Sequence, residues 1–192
     1  VRGSVPASPA RPLAFPRVVA GARPRGGRPF PLRERRFQPP ARRPVCGLGS
    51  RLALFVDTSA LIALLDAADP QQDSVRAVWA RALADQERLV TSNYILVETL
   101  AVAQRRFGTS AVRLLLDDVA PVLELHWIDE GLHDAAVRGL RAAGRRTLSL
   151  VDCTSFELMR ALGLRSAFTL DPHFAEQGFT ILPRQDDSIH EP

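Results

Sequence analysis

From Leu52 onward the chain alternates short apolar runs with longer segments whose apolar residues recur at helical spacing, and no other feature restricts the fold as strongly. Apolar runs of this length read as buried strands. Strands separated by helices need crossover connections, so the pattern predicts an α/β domain with a mainly parallel sheet. Strands are expected at Leu52–Val56, Leu89–Thr91, Val122–Ile128, Ser166–Leu170 and Thr180–Leu182. Helices are expected at about Ser59–Ala67, from Pro70 to about Gln86, from Ser92 or Asn93 to Gly108, over Thr109–Val119, at about Asp129–Ala143 and at Ser149–Leu162. Asp69-Pro70 places a cap before a proline at the first helical position, and Val75, Val78, Trp79 and Leu83 share one face of the helix that follows. Trp79 and Trp127 both read as core residues, and no internal repeat is visible.

A length of 192 residues with 46% hydrophobic content is enough for one domain with a genuine core. Charge divides the chain unevenly. Residues 1–50 hold 11 arginines against one acid, Glu34, with 10 of the 15 prolines and 6 of the 12 glycines. That composition builds no packed face and reads as a disordered Arg/Pro-rich tail. The expected organisation is therefore a tail at 1–50, a domain at 51–185 and a short polar end at 186–192. Residues 51–192 carry 14 arginines and 20 acids, a formal −6, so the sequence pI of 10.3 describes the tail.

Three readings of the tail stay open. Its composition suits a transit peptide, although ten prolines oppose the amphipathic helix such peptides form. It also suits nucleic-acid binding without specificity, and it suits an assumed upstream start, with the natural protein beginning near Leu52. Cys46 in the tail and Cys153 in the domain make no disulfide framework, which fits a reducing, cytoplasmic setting. No stretch approaches the ~20 apolar residues that span a bilayer, so no membrane association is expected.

All 25 basic residues are arginine, and the absence of lysine excludes chemistry that requires an amine. A Walker A loop needs lysine on the phosphates and a Schiff-base enzyme needs it as nucleophile. Haloacid-dehalogenase-like phosphatases and response-regulator receivers, whose first strand also ends in aspartate, use a later lysine. His126, His133, His173 and His190 lack zinc-ligand spacing. No G-x-S-x-G or G-x-G-x-x-G occurs either.

Four acids stand inside or against apolar segments: Asp57 in "LFVDTSA", Glu98 in "YILVETLAVA", Asp152 in "LSLVDCTSF" and Asp171 in "AFTLDPHF". An unpaired carboxylate buried in such surroundings costs several kcal/mol or takes up a proton, so a cation is implied. Asp57 and Asp171 follow strands, and ligands of open α/β sheets bind outside the carboxyl ends of strands. Hard oxygen ligands suit Mg²⁺ or Mn²⁺ rather than zinc. Each acid also has a structural reading. Asp57 caps the helix starting at Ser59, Asp152 completes a capping box with Ser149, Asp171-Pro172 makes a turn, and Glu98 pairs with Arg105 or Arg106. Four coincidences of acid with apolar context favour one shared metal site over four separate explanations.

The blocks "LFVDTSALIALLD", "TSNYILVETLAV", "LSLVDCTSFELMRALG" and "AFTLDPHFAEQGFTIL" resemble the PIN domain in order, content and spacing, over the 129 residues from Leu54 to Leu182. The last two look like the small single-domain VapC-type toxins. The resemblance implies a three-layer α/β/α sandwich around a mainly parallel sheet of about five short strands. It also implies a metal-dependent endoribonuclease with Asp57, Glu98, Asp152 and Asp171 as the catalytic acids and metal ligands, Asp57 and Asp152 foremost. Thr58 and Ser59 match the family's hydroxyl positions beside the first aspartate. The partners implied are single-stranded or structured RNA, a small antitoxin protein and a second copy of the chain in a homodimer. A housekeeping RNA-processing nuclease without an inhibitor and a non-catalytic, metal-stabilised interaction module are the competing functions. Arg105, Arg106, Arg145 and Arg146 are candidates for contact with the RNA backbone, while His173 and Phe174 read as packing residues.

Overall fold

The computed structural model describes residues 53–144 and 147–183. The expected tails at 1–50 and 186–192, the start of the first strand at Leu52, and Arg145 and Arg146 lie outside the described residues.

Five strands form one sheet: β1 (Ala53–Val56), β2 (Arg88–Ser92), β3 (Glu124–His126), β4 (Ser166–Phe168) and β5 (Thr180–Leu182). Their spatial order is β3-β2-β1-β4-β5, and every pairing is parallel. The helices are α1 (Thr58–Leu65), α2 (Gln72–Ala84), α3 (Asn93–Phe107), α4 (Thr109–Leu114), α5 (Glu130–Ala143), α6 (Leu150–Leu162) and α7 (His173–Glu176). From β1 the chain steps outward through β2 to β3, then returns to the far side of β1 for β4 and β5. Right-handed crossovers put α1–α4 on one face of the sheet and α5–α7 on the other, which is the expected three-layer sandwich. The return makes β1 and β4 the pair where strand order reverses.

The central strands are apolar on both faces because helices cover both. Phe55, Val56, Val90, Ala167 and Phe168 are buried, and α1 contributes Ala60, Leu61 and Ile62. Phe174 inserts between Phe55 and Phe156, with ring centroids at 6.1 and 4.9 Å, so its packing role is borne out. Trp79 stacks on Phe168 at 6.2 Å. Gly163 ends α6 in the left-handed region at φ 67°, and Leu164 N–H closes the turn onto the Met159 carbonyl at 2.9 Å.

Several boundaries differ from expectation for identifiable reasons. The strand expected over Val122–Ile128 shortens to Glu124–His126 because residues 120–122 form a 3-10 turn around Pro121, which has no N–H for a ladder. Being the edge strand, β3 is also covered on fewer sides, and Trp127 immediately after it is 64% exposed rather than core. The helix expected to Val119 changes to a π-helical segment at Leu115–Val119. The short helix α7 was not expected, since His173–Glu176 is too brief to carry a periodic pattern.

Candidate active site

Asp57 follows the last residue of β1, and its backbone N–H donates to the Phe168 carbonyl at the end of β4, 3.0 Å away. The side chain therefore emerges at the carboxyl edge of the sheet, at the strand-order reversal, where open α/β sheets leave a crevice for ligands. Asp57 is 5% exposed. Its Oδ2 accepts hydrogen bonds from Ser59 N–H at 3.1 Å, Ser59 Oγ at 2.6 Å and Thr169 Oγ1 at 2.9 Å. Burial pushes its carboxyl above the ordinary value of 3.8, against the opposing effect of the donors on Ser59, Thr169 and Thr58. Desolvation thus outweighs four hydroxyl and amide contributions, and the carboxylate is held at a cost that a cation would relieve.

The structural reading of Asp57 is also true as geometry, because the bond from Ser59 N–H is an N-cap of α1. A cap does not require burial. Most N-cap aspartates sit at the surface, where one amide suffices, whereas this one engages a second strand through Thr169.

Glu98, the sixth residue of α3, accepts from Thr58 Oγ1 at 2.6 Å. Thr99 Oγ1 donates to Thr58 Oγ1 at 3.4 Å. Glu98 is half-buried rather than enclosed by apolar residues, since α3 turns Val97, 68% exposed, to solvent. The pairing expected with Arg105 or Arg106 does not form. Arg106 bonds Asp66 at 2.7 Å, and both arginines lie in the last turn of α3, about 10 Å along the axis from Glu98.

Asp171 follows β4. Its backbone N–H donates to Thr169 Oγ1 at 3.0 Å, and its Oδ1 meets the His173 backbone N–H at 2.9 Å and His173 Nδ1 at 2.7 Å. A continuous hydrogen-bonded path therefore joins Asp57, through Thr169, to Asp171, while Thr58 joins the same loop to Glu98. Asp152 is the exception. Its Oδ2 accepts from Ser149 N–H at 2.7 Å and its N–H donates to Ser149 Oγ at 3.0 Å, so the capping box forms as its structural reading expects. The short connection from α6 to β4 runs at the opposite end of the sheet, so the α6 N-terminus, and Asp152 with it, lies toward the carboxyl edge. No hydrogen bond among the described residues joins it to the other three acids.

Thr169 is the site residue that sequence reading missed. It is fully buried and bonds Asp57, Ser59 and the Asp171 amide. A threonine closing "AFT" looks like any β-branched strand residue, and the one available signal was its place two residues before Asp171.

Among the described residues no three His, Cys, Asp or Glu side chains converge into a metal cage. The donor chemistry nevertheless fits Mg²⁺ or Mn²⁺, since Mg²⁺ takes one or two carboxylates and keeps several waters instead of using an all-protein cage. Asp57, desolvated at the crevice, satisfies the first requirement.

The PIN domain model matches residues 54–179. The chain belongs to the PIN domain family. With that family comes its class of activity, and the protein is a nuclease of the VapC-like kind. A curated relative, the 23S rRNA-specific endonuclease VapC20 of Mycobacterium tuberculosis, is 32% identical over 127 residues, covering 66% of this chain and 95% of VapC20. The crystal structure of M. tuberculosis VapC20, described as a sarcin-ricin-loop-cleaving toxin, superposes with a TM-score of 0.61 at 31% identity, covering 67% of this chain and 97% of that one. DNA-bound VapBC from Salmonella typhimurium shares the fold with a TM-score of 0.52 at 16% identity, covering 68% and 96%. The five-stranded parallel sheet with its helices is thus the fold of VapC structures. In this PIN domain, no helix among the described residues is long and apolar enough to cross a membrane.

Proposed function

We propose that this PIN domain protein is a divalent-metal-dependent endoribonuclease, the toxin of a toxin–antitoxin pair, whose substrate is a structured ribosomal RNA stem-loop. The observation that carries the reading is the buried Asp57 carboxylate at the strand-order reversal, its charge desolvated yet held by Ser59 and Thr169. The likeness to VapC20 over nearly that protein's whole length supports ribosomal RNA as the substrate class and an antitoxin as partner. A homodimer and a catalytic domain spanning 51–185 belong to the same proposal.

In this mechanism Asp57 and Asp152 would hold the ion most directly, with Glu98 and Asp171 completing the acidic pocket. The chemistry that a divalent cation held there would supply is activation of a water for in-line attack and neutralisation of charge on the phosphate. The chain's own part is orientation. Ser59 and Thr169 fix one oxygen of Asp57, which limits the directions from which the other can bind. Thr58 holds Glu98, Ser149 holds Asp152, and His173 together with its own amide holds Asp171. Such outer partners restrict rotation of the ligating groups and are worth tenfold or more in affinity or activity.

The test incubates the purified full chain with 23S rRNA and with a sarcin-ricin stem-loop oligonucleotide, with Mg²⁺ or Mn²⁺ and with chelator. Discrete, chelator-sensitive cleavage is expected, and expression of the chain alone should arrest bacterial growth. Cleavage of RNA by a chain whose overexpression is harmless would turn the reading to RNA processing without an antitoxin. No cleavage of either RNA in either metal would remove the ribonuclease reading.

A further inference from the structure

We propose that Trp127 is a stacking platform for an RNA base beside the scissile phosphate, a positioning residue outside the acidic pocket; this rests on the ribonuclease reading above. Trp127 is the one aromatic among the large apolar side chains that the described residues leave exposed. Its place relative to Asp57 follows from sheet register. Phe55 pairs with Val90 and Ser92 pairs with His126, so the row through Asp57 continues through Ser92 to His126, and Trp127 stands one residue beyond it at the same carboxyl edge. Two strand spacings separate β1 from β3, which places the Trp127 backbone about 10 Å from that of Asp57. A strand of RNA with its phosphate at Asp57 reaches that point within roughly one or two nucleotides.

The backbone that carries the indole is pinned on its C-terminal side. Residues 127–129 link β3 to α5, and Asn93 Oδ1 at the start of α3 accepts from Ile128 N–H at 2.8 Å. Asp129 caps α5 through Leu132 N–H at 2.9 Å, and Tyr94 OH meets His133 Nδ1 at 2.7 Å, which ties α5 to α3. An exposed ring on a pinned three-residue connection can meet a flat partner without further ordering of the backbone.

The chain around the ring distinguishes a base from a protein. His126, Asp129 and Glu130 flank it, whereas the core of a protein interface is depleted of charge. Those carboxylates also repel phosphate, which leaves the π-face of a base as the group to be gripped. Stacking of this kind accepts any base and adds affinity that does not depend on counterion release.

Trp79 is buried, so intrinsic fluorescence that responds to ligand reports Trp127. Titrating the full chain in chelator with a short single-stranded oligoadenylate should quench fluorescence saturably, and Trp127→Phe should remove the response. In the cleavage assay Trp127→Ala should raise KM about tenfold with kcat little changed and melting temperature preserved. Trp127→Phe should recover most of the loss, and the Trp-to-Ala ratio should hold between low and high salt. Wild-type cleavage with KM indifferent to Trp127→Ala overturns the platform while leaving the nuclease. Saturable quenching without any cleavage retains the platform and removes the nuclease. A changed oligomeric state or lost antitoxin binding in Trp127→Ala, with KM for RNA intact, assigns the ring to a protein partner and also overturns it.

Discussion

Thr169 Oγ1 donates to Asp57 Oδ2 at 2.9 Å, although 112 residues separate the two in sequence. The bond spans the reversal point of the sheet and couples the ends of β1 and β4. Thr169→Val keeps shape but removes the donor from a buried carboxylate, so it should destabilise the metal-free protein by about 1–3 kcal/mol. Thr169→Ser should restore stability. Chemical denaturation of the three proteins checks this, and equal midpoints would show that the bond contributes nothing.

Thr58 offers a milder intervention, because its Oγ1 reaches Glu98 rather than the buried aspartate. Thr58→Val should leave the melting temperature within a few degrees while lowering kcat/KM for RNA by about tenfold, the loss typical of an outer partner. Activity equal to wild type would mean that Glu98 needs no orienting partner.

Phe174 tests the core rather than the chemistry. Phe174→Ala opens a cavity among Phe55, Phe156 and Phe179 and should cost about 3–5 kcal/mol. Where protein remains folded at low temperature, cleavage per folded molecule should be retained.

The raised pKa of Asp57 gives a signed pH dependence. A carboxyl whose folded value lies above its unfolded one contributes favourably below the unfolded value, and that contribution is lost as pH rises through the folded value. In chelator, Asp57→Asn should therefore be more stable than wild type at neutral pH. Its advantage should shrink as pH falls toward the ordinary value of 3.8. Melting temperatures of both proteins across that range decide it, and an advantage that grows on acidification would reverse the assignment.

Much of this arrangement was legible in the residues, and the parts that were not share physical causes. Asp57 declares itself because a charge among apolar neighbours is costly, and it is the one of the four candidate acids that is buried, while the alternating runs declare a parallel sheet. Thr169 stays hidden because the same β-branched side chain serves a strand and a hydrogen-bond donor. Trp127 misleads because "LHWI" continues an apolar run that, at a sheet edge, is only partly covered. The π-helical segment at Leu115–Val119 shifts periodicity too briefly to be read. For Asp57 and Asp152 the residues alone could not separate cap from ligand, and the geometry fulfils the cap in both; only the burial of Asp57 and its reach to β4 exceed what a cap explains.

Asp57 is proposed to hold a divalent ion, and substitution by asparagine isolates charge from capping, since asparagine caps a helix about as well as aspartate. The measurement is RNA cleavage by wild type and Asp57→Asn with added Mg²⁺ or Mn²⁺, with and without chelator, alongside melting temperatures with and without the metal. Chelator-sensitive cleavage and metal-dependent stabilisation in wild type, both abolished in a folded Asp57→Asn protein, are predicted. Full cleavage by Asp57→Asn, or cleavage by wild type that ignores the chelator, would contradict the account and leave Asp57 as a helix cap.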